Sequence, residues 1–386
     1  MAYTNIDDPS AYFQTATYTG NGNATNAITN DGNSDLQPDF VWVKRREGAS
    51  DHVLQDSSRG FTATTKLASS STQRENDTNS GGSFGITDPQ WGYISSASSD
   101  GFNANVGTGT GDQVNKTSST YVAWQWKANG GTTSSKSSGT VAGNVTTPCV
   151  QQVNTDAGFS IITYTASTSY AGTETHLEHG LGVGPKFLIV KRRDTSSNWA
   201  IYHAEHGGSP NAGYGYLLLN STAATAQSSP TNKYWLNTPA ESNATLLAFG
   251  SGDDTGANGG EYVCYAFAEK QGYSKFGGYV GNGNDNGPFI YTGFKPAFVL
   301  TKGTHVSQWR LYDSARSPNN VNINRLFPYT NVAEATDTDA GIDMLSNGFK
   351  IRGSGGDYNA SGQAYIYIAF AENPFVTSTG IPTTAR

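Results

Sequence analysis

The chain has 386 residues, of which 14% are charged and 46 are glycine. Its formal net charge of −7 argues against nucleic acid as a partner, because binding phosphate requires clustered lysine and arginine. Helix-forming residues are sparse beside strand and turn formers, which excludes a mainly helical enzyme, and an aromatic content of 12% excludes a disordered chain.

The first stretch of the chain, MAYTNIDDPSAYFQT, lacks the apolar core of a signal peptide. No later segment approaches the length of an apolar membrane span. We therefore expect the chain to be made and folded in a cytoplasm, without insertion into a membrane. The two cysteines, Cys149 and Cys264, are too few for a disulfide scaffold, and Cys264 is expected to be a small buried apolar residue.

The heptapeptide PDFVWVK, which begins at Pro38, predicts a strand with two apolar faces. Phe40 and Trp42 point to one face, and Val41 and Val43 point to the other. A strand that is apolar on both sides is typical of the interior of a β-sandwich, where both faces are covered. A second predicted strand, HVLQD, follows it, and a third, YVAWQW, closes this part of the chain.

The same order of segments recurs twice further along the chain. PKFLIVK begins at Pro185 and is followed by WAIYH and YVCYAF, and PAFVLTK begins at Pro296 and is followed by WRLYD and YIYIAF. The spacing differs between copies, as expected for one fold with loops of different length. We predict an all-β protein made of three tandem, homologous antiparallel β-sandwiches of the jelly-roll or lectin-like kind.

The composition of the joints predicts how these domains are connected. The domains are expected at residues 1–131, 150–272 and 273–386, the last with a C-terminal tail. Residues 132–149 are rich in glycine, serine and threonine and predict a flexible linker. Only the short segment EKQGYSKFGG separates the second and third domains. We therefore expect a loosely tethered first domain and a rigid pair formed by the other two.

Two pairs of histidines invite a metal hypothesis: His176 with His179, and His203 with His206. A zinc site needs three or four ligands, and the sequence around the pairs does not supply the others. We therefore interpret the histidines as polar loop residues near strand ends, and the basic clusters that begin at Lys44 and Lys191 as solvated strand ends.

Acidic residues offer two further hypotheses. A glycosidase needs two carboxylates on opposite sides of a sugar bond, and no spacing singles out a pair. The available carboxylates are Asp313, Glu205, Asp194 and Glu178. Asp253, Asp254 and Asp285 lie in glycine-rich turns that could hold Ca²⁺, although turn chemistry alone explains them. We predict no catalytic residue, no metal and no cofactor, with calcium as the alternative.

Aromatic residues in polar, loop-like segments are the candidate contact residues. Sugar rings stack on such side chains while neighbouring polar groups supply hydrogen bonds. The segments DPQWGYIS, AGYGYLLL and NKYWLNTP contribute Trp91 and Tyr93, Tyr214 and Tyr216, and Tyr234 and Trp235. We select Trp91, Tyr93, Tyr234 and Trp235 as candidate host or glycan contacts. The alternative for each is that the ring packs beneath its own loop.

Several long segments resemble a family of marine bacteriophage virion proteins described as tail-fibre-like or structural. They are YTGNGNATNAI, DAGFSIITYT, HGLGVGPKFLIVKRR, GYSKFGGYVGNGNDNGPFIYTGFKPAFVL and YIYIAFAENPF, and the likeness is strongest from Asp156 to Phe375. The resemblance implies a non-enzymatic protein on the virion surface, with other virion proteins and a host-surface glycan or protein as partners. It also implies a homo-oligomer in the virion, and it transfers no catalytic residues.

Three functions are compatible with this resemblance. Attachment to a host glycan is the one we expect. A decoration protein that coats and stabilises the capsid or tail is the alternative, because tandem sandwiches suit a coat equally well. A polysaccharide depolymerase has the least support, since no catalytic pair is evident in the sequence.

Overall fold

The structure, a computed structural model, describes residues 2–77, 79–80, 83–84, 88–141, 144–167, 174–206, 215–227, 234–235, 244–338 and 340–382. Its regular structure is almost entirely antiparallel strand, which confirms the all-β class. The helical elements described are one α-helix, α1 (Gly356–Asn359), and two short 3-10 turns, Pro9–Ala11 and Pro89–Trp91. The three repeated parts of the chain are called units one, two and three.

Unit one forms a larger and a smaller sheet. Its strands are β1 (Phe13–Thr19), β2 (Asn26–Ile28), β3 (Phe40–Arg45), β4 (Val53–Asp56), β5 (Leu67–Ala68), β6 (Asn79–Ser80), β7 (Ser83–Phe84), β8 (Tyr93–Ala97), β9 (Phe102–Asn105) and β10 (Thr120–Trp126). The larger sheet has the order β1-β10-β3-β4-β5 and the smaller sheet the order β2-β9-β8, while β6 and β7 form a separate hairpin.

Unit two extends the same plan with additional edge strands. Its strands are β11 (Ser134–Lys136), β12 (Thr140–Val141), β13 (Asn144–Val145), β14 (Cys149–Asn154), β15 (Phe159–Thr165), β16 (Thr175–Glu178), β17 (Phe187–Arg192), β18 (Trp199–His203), β19 (Gly215–Leu218), β20 (Ala226–Gln227), β21 (Leu246–Phe249) and β22 (Glu261–Phe267). The larger sheet has the order β11-β14-β15-β22-β17-β18-β19-β20, β16 pairs with β21, and β12 pairs with β13.

Unit three returns to the plan of unit one. Its strands are β23 (Ser274–Val280), β24 (Asn286–Tyr291), β25 (Phe294–Gly303), β26 (Arg310–Asp313), β27 (Asn324–Arg325), β28 (Ala335–Thr336), β29 (Gly341–Leu345), β30 (Gly348–Arg352) and β31 (Ala364–Pro374). The larger sheet has the order β23-β31-β25-β26 and the smaller sheet the order β24-β30-β29, and β27 pairs with β28.

The three heptapeptides occupy equivalent strands. Each of β3, β17 and β25 lies between the closing strand of its unit and the strand that follows the heptapeptide. The register is also equivalent: Phe40 lies opposite Trp126 and Asp56, Phe187 opposite Phe267 and His203, and Phe298 opposite Phe370 and Asp313. The sequence repeat is therefore a structural repeat of the strand order.

The two apolar faces of the heptapeptide strand belong to two different cores. In β3, Val41 and Val43 pack against the smaller sheet of the same unit. Phe40 and Trp42, on the other face, join a central core to which all three units contribute. The sequence correctly predicted that both faces are covered. The face with Phe40 and Trp42 is covered by the other two units. An alternating pattern predicts that a face is buried but not which part of the protein buries it.

The first unit is not loosely tethered, contrary to the expectation from the sequence. Aromatic rings meet between every pair of units: Phe40 and Tyr265 at 4.2 Å, Phe187 and Phe276 at 5.8 Å, and Trp126 and Phe298 at 5.8 Å between ring centroids. The remaining central cavity measures about 10 Å³, which is no larger than one water. Burying these rings strongly favours docking of the first unit.

The predicted linker is likewise anchored rather than free. The carboxylate of Asp39 accepts hydrogen bonds from the backbone N–H groups of Ala128, Gly130 and Gly131 at 2.6 to 2.8 Å. Immediately downstream, β11 adds an antiparallel strand to the edge of the sheet of unit two. Glycine, serine and threonine suit a mobile linker, but the chain is held here by Asp39 just before residues 132–149 and by the pairing of β11 within them.

Candidate functional site

The three units close into a ring through equivalent backbone contacts. The loop after each heptapeptide donates one hydrogen bond to the preceding unit: Ser197 N–H to the Thr72 carbonyl, Ser307 N–H to the Thr222 carbonyl, and Ser50 N–H to the Asn331 carbonyl. The contact between units one and two is called the first seam, that between units two and three the second seam, and that between units three and one the third seam. Because the third seam repeats the other two, the arrangement is cyclic.

A buried chain of ion pairs crosses the first seam. The guanidinium of Arg59 contacts Asp56 at 2.6 Å and Glu75 at 2.5 Å, and the side chains of Arg59 and Asp56 are fully buried. Glu75 also pairs with Arg193 of unit two at 2.8 Å. The hydroxyl of Tyr265, again from unit two, donates to Asp56 at 2.7 Å. Every charged group in this series of ion pairs therefore has a partner of opposite charge, as buried charges require.

The third seam repeats the same chain of ion pairs. Arg316 contacts Asp313 at 2.6 Å and Glu334 at 2.7 Å, and Glu334 pairs with Arg46 of unit one at 3.0 Å. The indole N–H of Trp124 donates to Asp313 at 3.1 Å. Burial works against the charge of Arg316, but the carboxylates of Asp313 and Glu334 outweigh it and raise the pKa of Arg316.

The second seam has no such ion pairs at the equivalent positions. His203 stands where the other seams have Asp56 and Asp313, and His206 stands three residues later, where they have arginine. Thr225 donates its backbone N–H to the Thr304 carbonyl at 2.8 Å. In the first and third seams, the backbone N–H groups of Glu75 and Glu334 make the equivalent hydrogen bonds. Two histidines and two threonines thus replace four charges.

His203 is held in its neutral form. Its Nδ1 accepts a hydrogen bond from the Glu205 N–H at 3.0 Å, so that Nε2 carries the proton and donates to the Tyr367 carbonyl at 3.0 Å. Burial lowers the pKa of His203 to about 3, which the Tyr367 carbonyl only partly opposes. The interpretation of His203 as a polar loop residue is wrong: it is a buried residue between two units.

The lysine that ends each heptapeptide is also buried, so the interpretation of Lys44 and Lys191 as solvated strand ends is wrong. Lys191 donates to the Thr72 carbonyl across the first seam at 3.1 Å and to the Ser197 carbonyl at 2.8 Å. Lys44 and Lys302 bond to carbonyls of their own loops. Burial lowers the pKa of Lys44 and Lys191 to about 7 and that of Lys302 to about 8.

Two of the predicted contact aromatics fall in unit two and have different surroundings. Tyr234 is half-buried and lies parallel to Tyr216, with ring centroids 3.8 Å apart. Its hydroxyl donates to Asp254 at 2.5 Å, and Asp254 also accepts from the Asn198 N–H at 2.7 Å. Burial first, and then the bond to Asp254, raise the pKa of Tyr234. The tyrosine pair is therefore held rigidly beside polar groups.

Trp235 is completely buried, and its selection as a contact residue is wrong. Its ring packs against Tyr202 and Phe249, so it belongs to the core of unit two. In unit one, Trp91 ends a 3-10 turn and Tyr93 begins β8, and both are half-buried. Both keep part of their surface exposed. Tyr214 lies outside the described residues.

Three of the acidic residues considered for catalysis or calcium have structural partners. Asp313 is fully buried in the third seam, and Asp194 pairs with Arg192 at 2.8 Å. Asp254 accepts hydrogen bonds from Tyr234 and Asn198. In the part of the chain that the structure describes, no group of three or more histidine, cysteine or acidic residues is placed to hold a metal ion.

Sequence reasoning missed the seams, although a signal for them was present. The spacing of an aspartate three residues before an arginine occurs in both QDSSR and YDSAR, directly after the second strand of units one and three. Unit two has YHAEH at the same place. Aligning these three segments would have shown two charged copies and one histidine copy.

One of the comparisons with known proteins covers almost the whole chain. The family model described as "Domain of unknown function (DUF7483)" matches residues 8–374. Neither the curated proteins nor the solved structures that were compared gave a match. Among the described residues, no helix combines the length and the apolar character needed to cross a membrane.

Proposed function

We propose a function for this chain, which belongs to the family described as "Domain of unknown function (DUF7483)": it is a non-enzymatic virion surface protein that contacts a host-surface glycan. The observation that carries the proposal is the closed ring of three equivalent units. A ring with a shared aromatic core is a rigid platform, and it holds three smaller sheets and their loops on its outside. The resemblance to virion proteins supplies the setting.

The contact surface in this proposal is formed by half-buried aromatic residues beside polar groups. Tyr216 and Tyr234 are held in parallel by the contact between their rings and by Asp254. Trp91 and Tyr93 form a second such place in unit one. One sugar ring on one aromatic face gives few buried contacts, so each site binds weakly. Many copies on one particle raise the effective affinity by about 10²–10⁴.

Adsorption of virions tests the proposal. Excess multimeric protein is expected to block attachment, while the monomer at the same concentration of sites blocks it poorly. The double variant Tyr216→Ala and Tyr234→Ala should lose this inhibition while retaining the wild-type unfolding midpoint. Val332→Ala, which removes an exposed apolar side chain elsewhere on the surface, is the matched control. Full inhibition by the double variant would contradict the proposed site.

A second candidate function, decoration of the virion, is favoured by the cyclic arrangement of the units. Three equivalent units around one axis resemble a trimer made from one chain, and such a shape fits a position of threefold symmetry on a capsid. A map of virions carrying labelled protein distinguishes the two functions. Label at threefold positions of the capsid, with normal adsorption of virions that lack the protein, would establish decoration and contradict attachment.

A further inference from the structure

Unit three exposes an aromatic pair that has no counterpart in unit one. Phe289 and Tyr291 are 46% and 53% exposed and lie on the solvent side of β24, with the buried Ile290 between them. Two aromatic side chains exposed side by side on one strand face leave apolar surface in contact with water, and such a face is a candidate binding surface. The pair was not among the sequence candidates, because FIY reads as a strand.

The repeat supplies an internal reference for this face. Ile290 pairs with Phe349 in unit three, and Ile28 pairs with Phe102 at the equivalent place in unit one. The neighbours of Ile28 are Ala27 and Thr29, both exposed and both small. The fold therefore does not require large rings at these two positions, and the aromatic pair is a specific addition to unit three.

The orientation of Tyr291 is fixed by its surroundings. The hydroxyl of Tyr3 lies 3.2 Å from that of Tyr291 and donates to the Gly293 carbonyl at 2.7 Å. Gly348 lies opposite Tyr291 on β30 and presents no side chain. The face beside Tyr291 is therefore flat, as stacking on a planar or chair-shaped ring requires.

A cationic group lies on the same face. Lys350 is directly opposite Phe289 across the strand pair, so their side chains point to the same side of the sheet. Its ammonium makes no hydrogen bond or ion pair within the described residues, whereas the neighbouring Arg352 is paired with Asp343 at 2.6 Å between Nε and Oδ2. An aromatic platform with one free cation matches a ligand that has apolar faces and carboxylates.

We propose that Phe289, Tyr291 and Lys350 form a binding face for an acidic polysaccharide. Sugar rings stack on Phe289 and Tyr291, and a carboxylate of the polysaccharide pairs with Lys350. This inference deepens the proposed glycan-binding function and rests on it for its biological setting, but it concerns a different surface from the Tyr216 and Tyr234 pair.

The same face is poorly suited to a protein partner. β24 is an edge strand, but Pro288 has no N–H to donate, and the register shifts between Asn286 and Phe289, so an added strand would not pair well. The exposed area of the two rings is roughly 200 Å² by the usual size of aromatic side chains. A stable dimer needs about 800 Å² from each partner.

Retardation in polysaccharide gels tests the binding face on the full chain. Polygalacturonate, which carries one carboxylate per sugar, is the acidic probe, and dextran is the neutral one. We expect wild-type protein to be retarded by polygalacturonate more than by dextran. Phe289→Ala with Tyr291→Ala should weaken retention about tenfold. Lys350→Gln should weaken it about threefold for polygalacturonate alone, with an effect that fades at high salt.

Val306→Ala, which removes the most exposed of the large apolar side chains, is the control and should not change retention. Absence of retention by polygalacturonate, or equal retention of the double variant and wild type, would overturn the inference. Equal retention of the wild-type protein by the two probes would also overturn it. So would a sedimentation result in which the wild-type protein is a dimer and the double variant is a monomer. If polygalacturonate retards the protein while virions that lack the protein adsorb normally, the proposed attachment function is wrong but the binding face is supported.

Discussion

The first and second seams occupy the same place in the fold but are built from different chemistry. Both keep the backbone hydrogen bonds that dock one unit on the next, through Ser197 and Ser307. The first seam adds the buried charges of Asp56 and Arg59, and the second has neutral His203 and His206 instead. The shared backbone contacts and the aromatic core are therefore sufficient to close the ring.

The difference between the seams also predicts different responses to acid. A buried ion pair keeps its carboxylate charged well below neutrality: the guanidinium groups of Arg46 and Arg316 outweigh burial and lower the pKa of Glu334. A neutral buried histidine has no such protection, because a proton at Nδ1 of His203 would break its bond from the Glu205 N–H. The second seam should therefore loosen before the first as the pH falls.

The largest expected effect comes from breaking an ion chain. Arg316→Leu leaves Asp313 buried without its cation and should lower the free energy of unfolding by about 3–5 kcal/mol. The equivalent change in the second seam, His206→Leu, removes no buried charge and should cost about 1 kcal/mol. Urea unfolding of both variants at pH 7 measures the difference. Equal losses would mean that the seams are not chemically distinct.

The next effect is the loss of stability in mild acid. The pKa of His203 is about 3 in the folded chain and ordinarily near 6.5, so the unfolded chain binds more protons between these values. The histidine contribution is complete above about pH 6.5 and is lost as the pH falls towards 3. Between pH 6.5 and 5 the loss from His203 should be about 2 kcal/mol.

The groups around His203 make this acid effect specific. His206 and Lys186 both lower its pKa, and Phe187 covers the ring. His203→Gln retains a donor for the Tyr367 carbonyl but does not titrate, so it should remove the part of the stability loss between pH 6.5 and 5 that His203 contributes. Amide exchange at Thr225, in the second seam, should accelerate there before exchange at Glu75 in the first. The reverse order would contradict the comparison.

The smallest effect per pH unit concerns the buried lysines at alkaline pH. Lys191 has a pKa of about 7 when folded and ordinarily about 10.5, so the unfolded chain binds more protons between these values. Stability should therefore rise as the pH rises from 7 to 9. Lys191→Met should remove about 1 kcal/mol per pH unit of that rise. Thermal unfolding at pH 7, 8 and 9 checks it, and an unchanged slope in the variant would refute it.

The sequence predicted the strands well because alternation is a local signal. Phe40 and Val41 face opposite ways wherever β3 lies, and the recurrence of the heptapeptide identified its equivalents. The seams could not be predicted in the same way, because they depend on which surfaces meet. The tethered first unit was inferred from the composition of residues 132–149, which says nothing about the aromatic face that the unit must bury.

The candidate site was predicted less well than the fold. A polar neighbourhood in the sequence suggested an exposed ring at both Tyr234 and Trp235, but the composition of a segment does not tell which of two adjacent rings packs into a core. Tyr234 is half-buried, and Trp235 enters the core. Phe289 and Tyr291 were missed for the converse reason: their apolar surroundings suggested burial, and only the position of β24 at the sheet edge reveals their exposure.

Cleavage of the chain between units one and two tests the closed ring most directly. A protease site inserted between Thr132 and Thr133, in an exposed part of the described chain just before β11, allows the covalent connection to be cut without touching the seams. We predict that the two fragments stay together in size-exclusion chromatography at pH 7, because the first and third seams and the central core still join them. Separation of a folded fragment 1–132 from the remainder would contradict the ring and restore the tethered first domain.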